Sequence, residues 1–409
     1  MSASWNKRIY NPPALPVELW QKIIEIATYI PGILEPEVWK LADRPSDYVI
    51  RDQQKELRAS LVTKRYLVRV SKHWFAMATP YLYEAILIGR QRTLLSLCEH
   101  FQHFKAGDQI SHNESRHLGW YTKRLDFAAR DTGDFYPDRL AEAIRYLPNL
   151  SIFNLTPRRE NGNGATFTCV ARALAETCGP RLRLLNLSME DPGVMRDEWQ
   201  QLLSSAPNLL ALHRPDVLVK PPVHASASYL AKLKSLITPS TGYYEMTNLP
   251  PEHTHTSPFP NLQHVEIPSI TNYNGPYGGD NQITVLRIYV PGAAWYWAEI
   301  ERYFANIHRL VLFLEHWEDF PETFTVPLSV THLSLSCRRM QGRASTFERL
   351  FGIFAAMHTN SANLRSVSLV SGRIRQYLRS RHPKTLALGM ESIKECSFVL
   401  EDDEGRPFA

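Results

Sequence analysis

A six-residue template, apolar-x-x-apolar-x-apolar, recurs along this chain and constrains its fold more than any other feature. Leu150, Phe153 and Leu155 fill it after Pro148-Asn149; Leu262, Val265 and Ile267 fill it after Pro260-Asn261; Leu364, Val367 and Leu369 fill it after Ala362-Asn363. Ten such stretches begin at Thr122, Leu150, Leu182, Leu209, Leu262, Ile283, Ile307, Val330, Leu364 and Ile393, and eight of them are complete. Thr122 opens the first with a polar residue, and Arg214 breaks the one that starts at Leu209. Successive spacings are 28, 32, 27, 53, 21, 24, 23, 34 and 29 residues. A unit of this size cannot bury its own apolar side and must stack on its neighbours, so the pattern predicts a solenoid. Solenoids present extended surfaces, which points to recognition rather than to a catalytic pocket.

From residue 120 onward the grammar alternates helix, turn and strand. Amphipathic helices are predicted over Leu140 to Leu147, Cys169 to Thr177, Glu198 to Ser204, Trp295 to Phe304 and Phe347 to His358. Each is closed by Pro, Gly or Asn before the next strand. Strands reached through such crossovers are parallel. The 53-residue gap spans two units or one long insertion, with Tyr229 to Ile237 read as its helix. Because strand side chains alternate, the last two apolar positions of each template point inward and the residue between them points out. Asp126, Asn154, Asn186, Glu266, Arg287, Ser334, Ser368 and Ser397 are therefore expected to line a concave face.

Residues 13–88 follow different rules. Pro16 suits the first position of a helix and Glu18 its positive end. Leu19, Ile23, Ile26, Ala27 and Ile30 then form one helical stripe, which Trp20 and Ile24 widen. Pro31-Gly32 ends that helix, and a polar connection runs to about Glu56. A second helix is expected from Leu57 to about Leu67 and a third from Val68 to Thr79, stopped by Pro80, before a short strand at Ala85 to Ile88. Two wide apolar faces on short helices exceed what a three-helix core needs, and surplus apolar area finds a partner. That partner is either another chain or the repeat region behind.

Three pieces in order, Leu15-Pro16-Val17-Glu18-Leu19, then Val68-Arg69-Val70-Ser71-Lys72-His73-Trp74, then Pro80-Tyr81-Leu82-Tyr83, resemble an F-box. The connection from Pro31 to Glu56 is longer than in a minimal F-box, and its opening Tyr-Ile-Pro-Gly-Ile-Leu resembles F-box proteins of mushroom-forming fungi. The templates that follow resemble irregular leucine-rich repeats, although the Asn or Cys that normally follows each strand is mostly missing. The resemblance implies an α/β chain: an N-terminal three-helix F-box-like unit, then a leucine-rich-repeat solenoid with a curved parallel sheet. It divides the chain into a tail at 1–12, the helical unit at 13–88, the solenoid at 89–400 and an acidic tail at 401–409.

The same resemblance implies a substrate-recognition subunit of a cullin–RING ubiquitin ligase. Leu15, Pro16, Leu19, Ile23, Ile24, Val70 and Trp74 would meet a Skp-family adaptor, and through it a cullin. A protein target would meet the outward strand positions His264, Glu266, Arg287, Tyr289, Arg309, Phe313 and His332, together with the loops. A scaffold of the same build that never enters a ligase is the second expectation, and an enzyme with an unrecognised pocket the third.

Composition and motifs narrow these choices. A formal net charge of +5 is small for 409 residues, and the basic run Arg58, Lys64, Arg65, Arg69, Lys72 reads as the solvated or partner-facing side of two helices rather than a nucleic-acid stripe. No apolar run reaches the roughly 20 residues that span a bilayer. The N-terminal residues lack the apolar core of a secretory signal, so an intracellular protein, cytoplasmic or nuclear, is expected. In that setting five cysteines without metal-ligand spacing read as reduced thiols. The sequons at Asn113, Asn149, Asn154 and Asn186 read as chance. Phosphate-cradle, dinucleotide and nucleophile-elbow motifs do not occur, so no catalytic residue and no cofactor is expected. Asn274 to Gly279 reads as a loop; Glu252-His253-Thr254-His255, with His264 downstream, reads as solvated loop residues rather than a metal site. Glu190-Asp191 and Glu401-Asp402-Asp403-Glu404 read as surface charge.

Overall fold

The computed structural model describes residues 15–37, 40, 43–107, 117–128, 136–156, 167–187, 196–213, 230–237, 259–267, 282–290, 300–301, 304–322, 324–357 and 362–408. A single 12-stranded sheet runs through it in strict sequence order, every strand parallel to the last. The strands are β1 Ala85–Ile88, β2 Arg124–Phe127, β3 Ile152–Leu155, β4 Leu184–Leu187, β5 Ala211–His213, β6 Ser235–Ile237, β7 His264–Ile267, β8 Val285–Tyr289, β9 Arg309–Leu314, β10 His332–Cys337, β11 Ser366–Val370 and β12 Val399–Glu401. Nine of the ten templates place a strand two residues after their first apolar position, as in Leu150 before Ile152. The tenth does not: Ile393 and Phe398 enter the core, but residues 393–395 form a turn and β12 begins only at Val399.

The 53-residue gap holds one more repeat, and the helix expected over Tyr229 to Ile237 is instead a turn at 230–232 followed by β6. Leu233 and Leu236 fill two apolar positions there, but Thr238 stands at the third, which hides the unit from the template. The repeat punctuation has a direct physical role. The side-chain amides of Asn149, Asn208, Asn261 and Asn363 each donate to a backbone carbonyl in the preceding turn, at Trp120, Pro180, Ala231 and Leu328, over 2.6 to 2.8 Å. These bonds tie each repeat to the one before it.

Inward residues such as Leu125, Phe153, Leu185, Val265, Leu310 and Leu369 share one continuous core with the flanking helices. Helices α4 (Gln91–Gly107), α5 (Pro137–Ile144), α6 (Thr168–Thr177) and α7 (Arg196–Ser205) stack in order on that side. Helix α8 (Ala344–Met357) and the pair α9 (Ile374–Arg381) and α10 (Pro383–Ser392) close its far end. Helices are about 10 Å thick and parallel strands about 4.8 Å apart, so the helical side is the longer, convex one and the opposite sheet face is concave. At the C-terminus Phe408 is buried in the same core. The acidic tail is not simply surface charge: Asp402 is buried and accepts hydrogen bonds from the backbone of Glu404 and Arg406 and from the Arg406 side chain.

The N-terminal helices are α1 (Val17–Thr28), α2 (Ser46–Leu67) and α3 (Lys72–Tyr83). Ile24, Met77 and Ala78 form their small core, with Trp20, Leu67, Val68, Trp74 and Tyr81 around it. The Ser71 hydroxyl starts α3 by accepting the Trp74 N–H at 3.2 Å. Pro80 does not stop this helix, which continues to Tyr83 before β1. The larger difference is at α2. It begins at Ser46, not Leu57, so much of what reads as a connection is helix.

Candidate functional site

Two rows of side chains pave the concave face. One row, in register from β2 to β10, is Arg124, Ile152, Leu184, Ala211, Ser235, His264, Val285, Arg309 and His332. The second runs Asp126, Asn154, Asn186, His213, Ile237, Glu266, Arg287, Val311 and Ser334, continuing to Ser368 and Glu401. Seven of the eight outward residues expected from alternation therefore lie on this face; Ser397 precedes β12 and lies outside the strands.

These rows are polar at both ends and along most of the second, with an apolar patch at Ile152, Leu184 and Ala211, and most of their members are buried. Arg124 forms a two-point contact with Asp126 at 2.9 and 2.8 Å. The Asn154 amide donates to Asp126 at 2.7 Å, and the Asn186 amide donates to Asn154 at 3.3 Å. Further along, Ser235 and His264 share a 2.6 Å hydrogen bond, and the Tyr289 hydroxyl donates to Glu266 at 3.3 Å. Arg287 stands 3.7 Å from the Glu266 carboxylate.

The cover over these residues is the chain's own segment between α1 and the middle of α2. Gln53 and the Ile33 carbonyl both accept from Arg124 at 2.7 Å, while Gln54 donates to Thr156 just beyond β3. Val49 packs on Ile152, Leu184 and Ala211, three adjacent strands. The Ser46 hydroxyl donates to Glu266 at 2.7 Å and its backbone N–H approaches the same carboxylate at 3.5 Å. Glu266 thus places a negative charge at the positive end of α2, where it is stabilising. The Arg44 carbonyl accepts from Arg287 at 3.0 Å, and Asp43 accepts from Arg309 at 2.7 Å and from Ser334 at 2.5 Å. Ile30, Ile33 and Leu57 meet Ala85 at the other end.

Burial under this segment dominates the electrostatics. It pushes His213 down to about 3 and His264 well below its ordinary value, with the Arg287 charge adding to both. Burial raises the Glu266 carboxyl, which Arg287 partly offsets, and lowers Arg287, which Glu266 partly offsets. Burial and then Glu266 raise the Tyr289 phenol. Both histidines are consequently neutral at ordinary pH.

Of the seven residues expected to meet a target, His264, Glu266 and Arg287 are fully covered, and Phe313 is buried against Tyr289, ring centroids 4.7 Å apart. Tyr289 keeps 37% of its surface and His332 stays exposed, while Arg309 is exposed but engaged by Asp43. Strand alternation places these side chains on the correct face; it carries no information about a segment more than two hundred residues away in sequence that lies on top of them.

The helical unit shows the opposite character. Leu15, Leu19, Ile23 and Val70 are exposed, as are Val17, Ile26, Tyr66 and Phe75, which sequence reasoning did not assign to this surface. Pro16 is exposed at the head of α1. Ile24 is instead fully buried at the centre of the three helices. Trp74 is half-buried against Trp20, centroids 5.2 Å apart, and so is partly internal.

All five thiols are free, and burial shifts each of them upward, away from the thiolate a nucleophile needs: Cys98 and Cys169 to about 11, Cys178 and Cys337 to about 12, and Cys396 in the same direction. Among the described residues no three His, Cys, Asp or Glu converge as metal ligands. Also among them, no helix is long and apolar enough to cross a membrane. Asn113, Glu190-Asp191, Glu252 to His255 and Asn274 to Gly279 lie outside the described residues.

No protein-family model matches this chain, and no curated protein matches it in sequence. Among solved structures it is similar to the leucine-rich repeat-containing protein LegL7 from Legionella pneumophila, at 13% identity and a TM-score of 0.34, over 76% of this chain and 88% of that one.

Proposed function

We propose that this chain is a non-catalytic recognition subunit of a cullin–RING ubiquitin ligase, with its helical unit bound to a Skp-family adaptor and its repeat arc bound to a protein target. The observation that carries the reading is the exposed apolar surface of α1 and α3. Leu19 and Ile23 on α1, Val70 in the turn before α3 and Phe75 on α3 are 50, 43, 61 and 51% exposed, in the same unit whose sequence resembles an F-box. Side chains of this kind are stabilised by a partner's apolar surface at about 25 cal/mol per Å² buried. Ile24 and the Trp20–Trp74 pair hold the helices together behind that surface.

In this reading the arc works by proximity. Holding a target on the same chain as the adaptor-binding helices raises its effective concentration near the ubiquitin-loaded enzyme without a new chemical step. An intracellular site of action, cytoplasmic or nuclear, belongs to the same reading.

Co-expression with a Skp-family adaptor tests it. The wild-type chain should co-purify with adaptor and cullin, whereas Leu19→Asp/Ile23→Asp should lose the adaptor while keeping its melting temperature. If the wild-type chain captures neither protein, the ligase assignment is wrong and a protein-binding scaffold outside any ligase takes its place.

A further inference from the structure

The concave strip is covered, yet its composition is not that of a permanent core. Beneath residues 43–57 lie Arg124, Asp126, Asn154, His213, Glu266 and Arg287, whereas the apolar part of the junction is Val49 on Ile152, Leu184 and Ala211 and, at its end, Leu57 with Ala85. Buried ion pairs contribute little net stability compared with apolar residues of the same volume. Those pairs lie within the strip, and the bonds that cross to the segment are chiefly single hydrogen bonds of small net worth, so the junction is held weakly for its size.

The buried charges of the strip also have opposite charges on the strands themselves. Arg124 keeps its two-point contact with Asp126, which also receives Asn154. Arg287 keeps Glu266, which also receives Tyr289, and Ser235 keeps His264. Arg287 loses the Arg44 carbonyl and Arg124 loses Gln53, but each keeps its carboxylate partner on the strands; Arg309, whose carboxylate partner Asp43 lies in the segment, sits on the exposed rim where water can replace it. Departure of the segment therefore strands no buried charge, the condition that normally makes such an opening costly.

From these features we infer that residues 43–57 are an intramolecular ligand of the arc, an autoinhibitory contact that opens locally and uncovers the strip from Arg124 to Ser334. The second half of α2, residues 58–67, stays with α1 and α3 through the helical unit's own core. The segment's chemistry also describes what the uncovered strip accepts: a helix led by an acidic residue and a hydroxyl, as Asp43 and Ser46 lead α2. The biological meaning rests on the arc being the target site, but the opening itself requires neither a target nor an adaptor.

Hydrogen–deuterium exchange of the full chain, alone in solution, tests this. Amides of Val49, Ile50, Gln53 and Gln54 should exchange at least about a hundredfold faster than those of Phe153 and Leu185 beneath them, as expected for a sub-global opening. In Val49→Glu the same amides should approach unprotected rates while β3 to β8, residues 58–67 and the melting temperature hold. Equal protection of the segment and the strands in the wild-type chain would overturn the inference. Collapse of the whole chain in Val49→Glu would overturn it too, because the contact would then be core. Since no adaptor is present, failure of the ligase reading leaves both results unchanged.

Discussion

Leu19, Ile23, Val70 and Phe75 of the helical unit face solvent, whereas Arg124, Asp126, Glu266 and Arg287 of the concave face are shut away from it. The two regions invert the usual relation between polarity and burial, for different reasons. On the helical unit, apolar surface is left over because α1 and α3 need only Ile24, Met77, Ala78 and the two tryptophans to hold together. On the concave face, the strands already have their core on the other side, so the exposed row is free to be polar. It becomes buried only because a distant segment settles on it. Burial therefore does not by itself identify a core, nor exposure a solvent face.

The sharpest way to break this comparison is at neighbouring isoleucines of α1. Ile24→Asp buries an unpaired carboxylate and should cost more than about 4 kcal/mol in urea unfolding, whereas Ile23→Asp should stay within about 0.5 kcal/mol. Similar losses at both positions would mean that the two faces of α1 are not distinct. A smaller effect comes from pH. His213 has a folded-state pKa of about 3 against an ordinary 6.5, so the unfolded chain takes up its proton first. Its contribution is complete above about pH 6.5 and declines towards pH 3, reaching a loss of about 2 kcal/mol at pH 5. Glu266, whose carboxyl is raised, acts in the opposite direction just above the ordinary carboxylate range. Unfolding at pH 7 and pH 5 should show the loss in the wild-type chain and a smaller one in His213→Gln. The smallest expected effect is at the rim: Asp43→Ala removes the bonds to Arg309 and Ser334 in a partly exposed setting and should cost about 1 kcal/mol.

The repeat architecture is legible in the sequence because each Leu-x-x-Leu-x-Leu states both a strand and the side it buries. It fades where one position is polar, as at Thr238 after β6, or where the chain turns before pairing, as at Ile393. The first half of α2 is harder to see. Tyr48, Val49 and Ile50 are followed by Arg51 to Glu56 without an apolar residue, so no helical stripe forms. Pro45 before Ser46 and Asp47 in the first turn are nevertheless helix-start chemistry, and could have revealed it. The residues of the concave face are likewise readable one by one. Their cover is not, because the bond from Ser46 to Glu266 joins residues 220 apart and leaves no local pattern.

The contacts of α2 also bear on the mechanics of the arc. Between Gln54, beside β3, and Asp43, on β9 and β10, the chain has eleven residue steps. Eight of them lie in the helix and rise about 12 Å; the remaining three add at most about 10 Å. The strand ladder beneath, from β3 to β10, measures about 34 Å along the sheet at about 4.8 Å per strand. A cord of roughly 22 Å is thus fastened to a vault about half as long again, side chains bridging part of the difference at each end. A stack of repeats joined only to its neighbours flexes like a spring; tied across its mouth, it behaves as an arch whose span is set by the length of its tie.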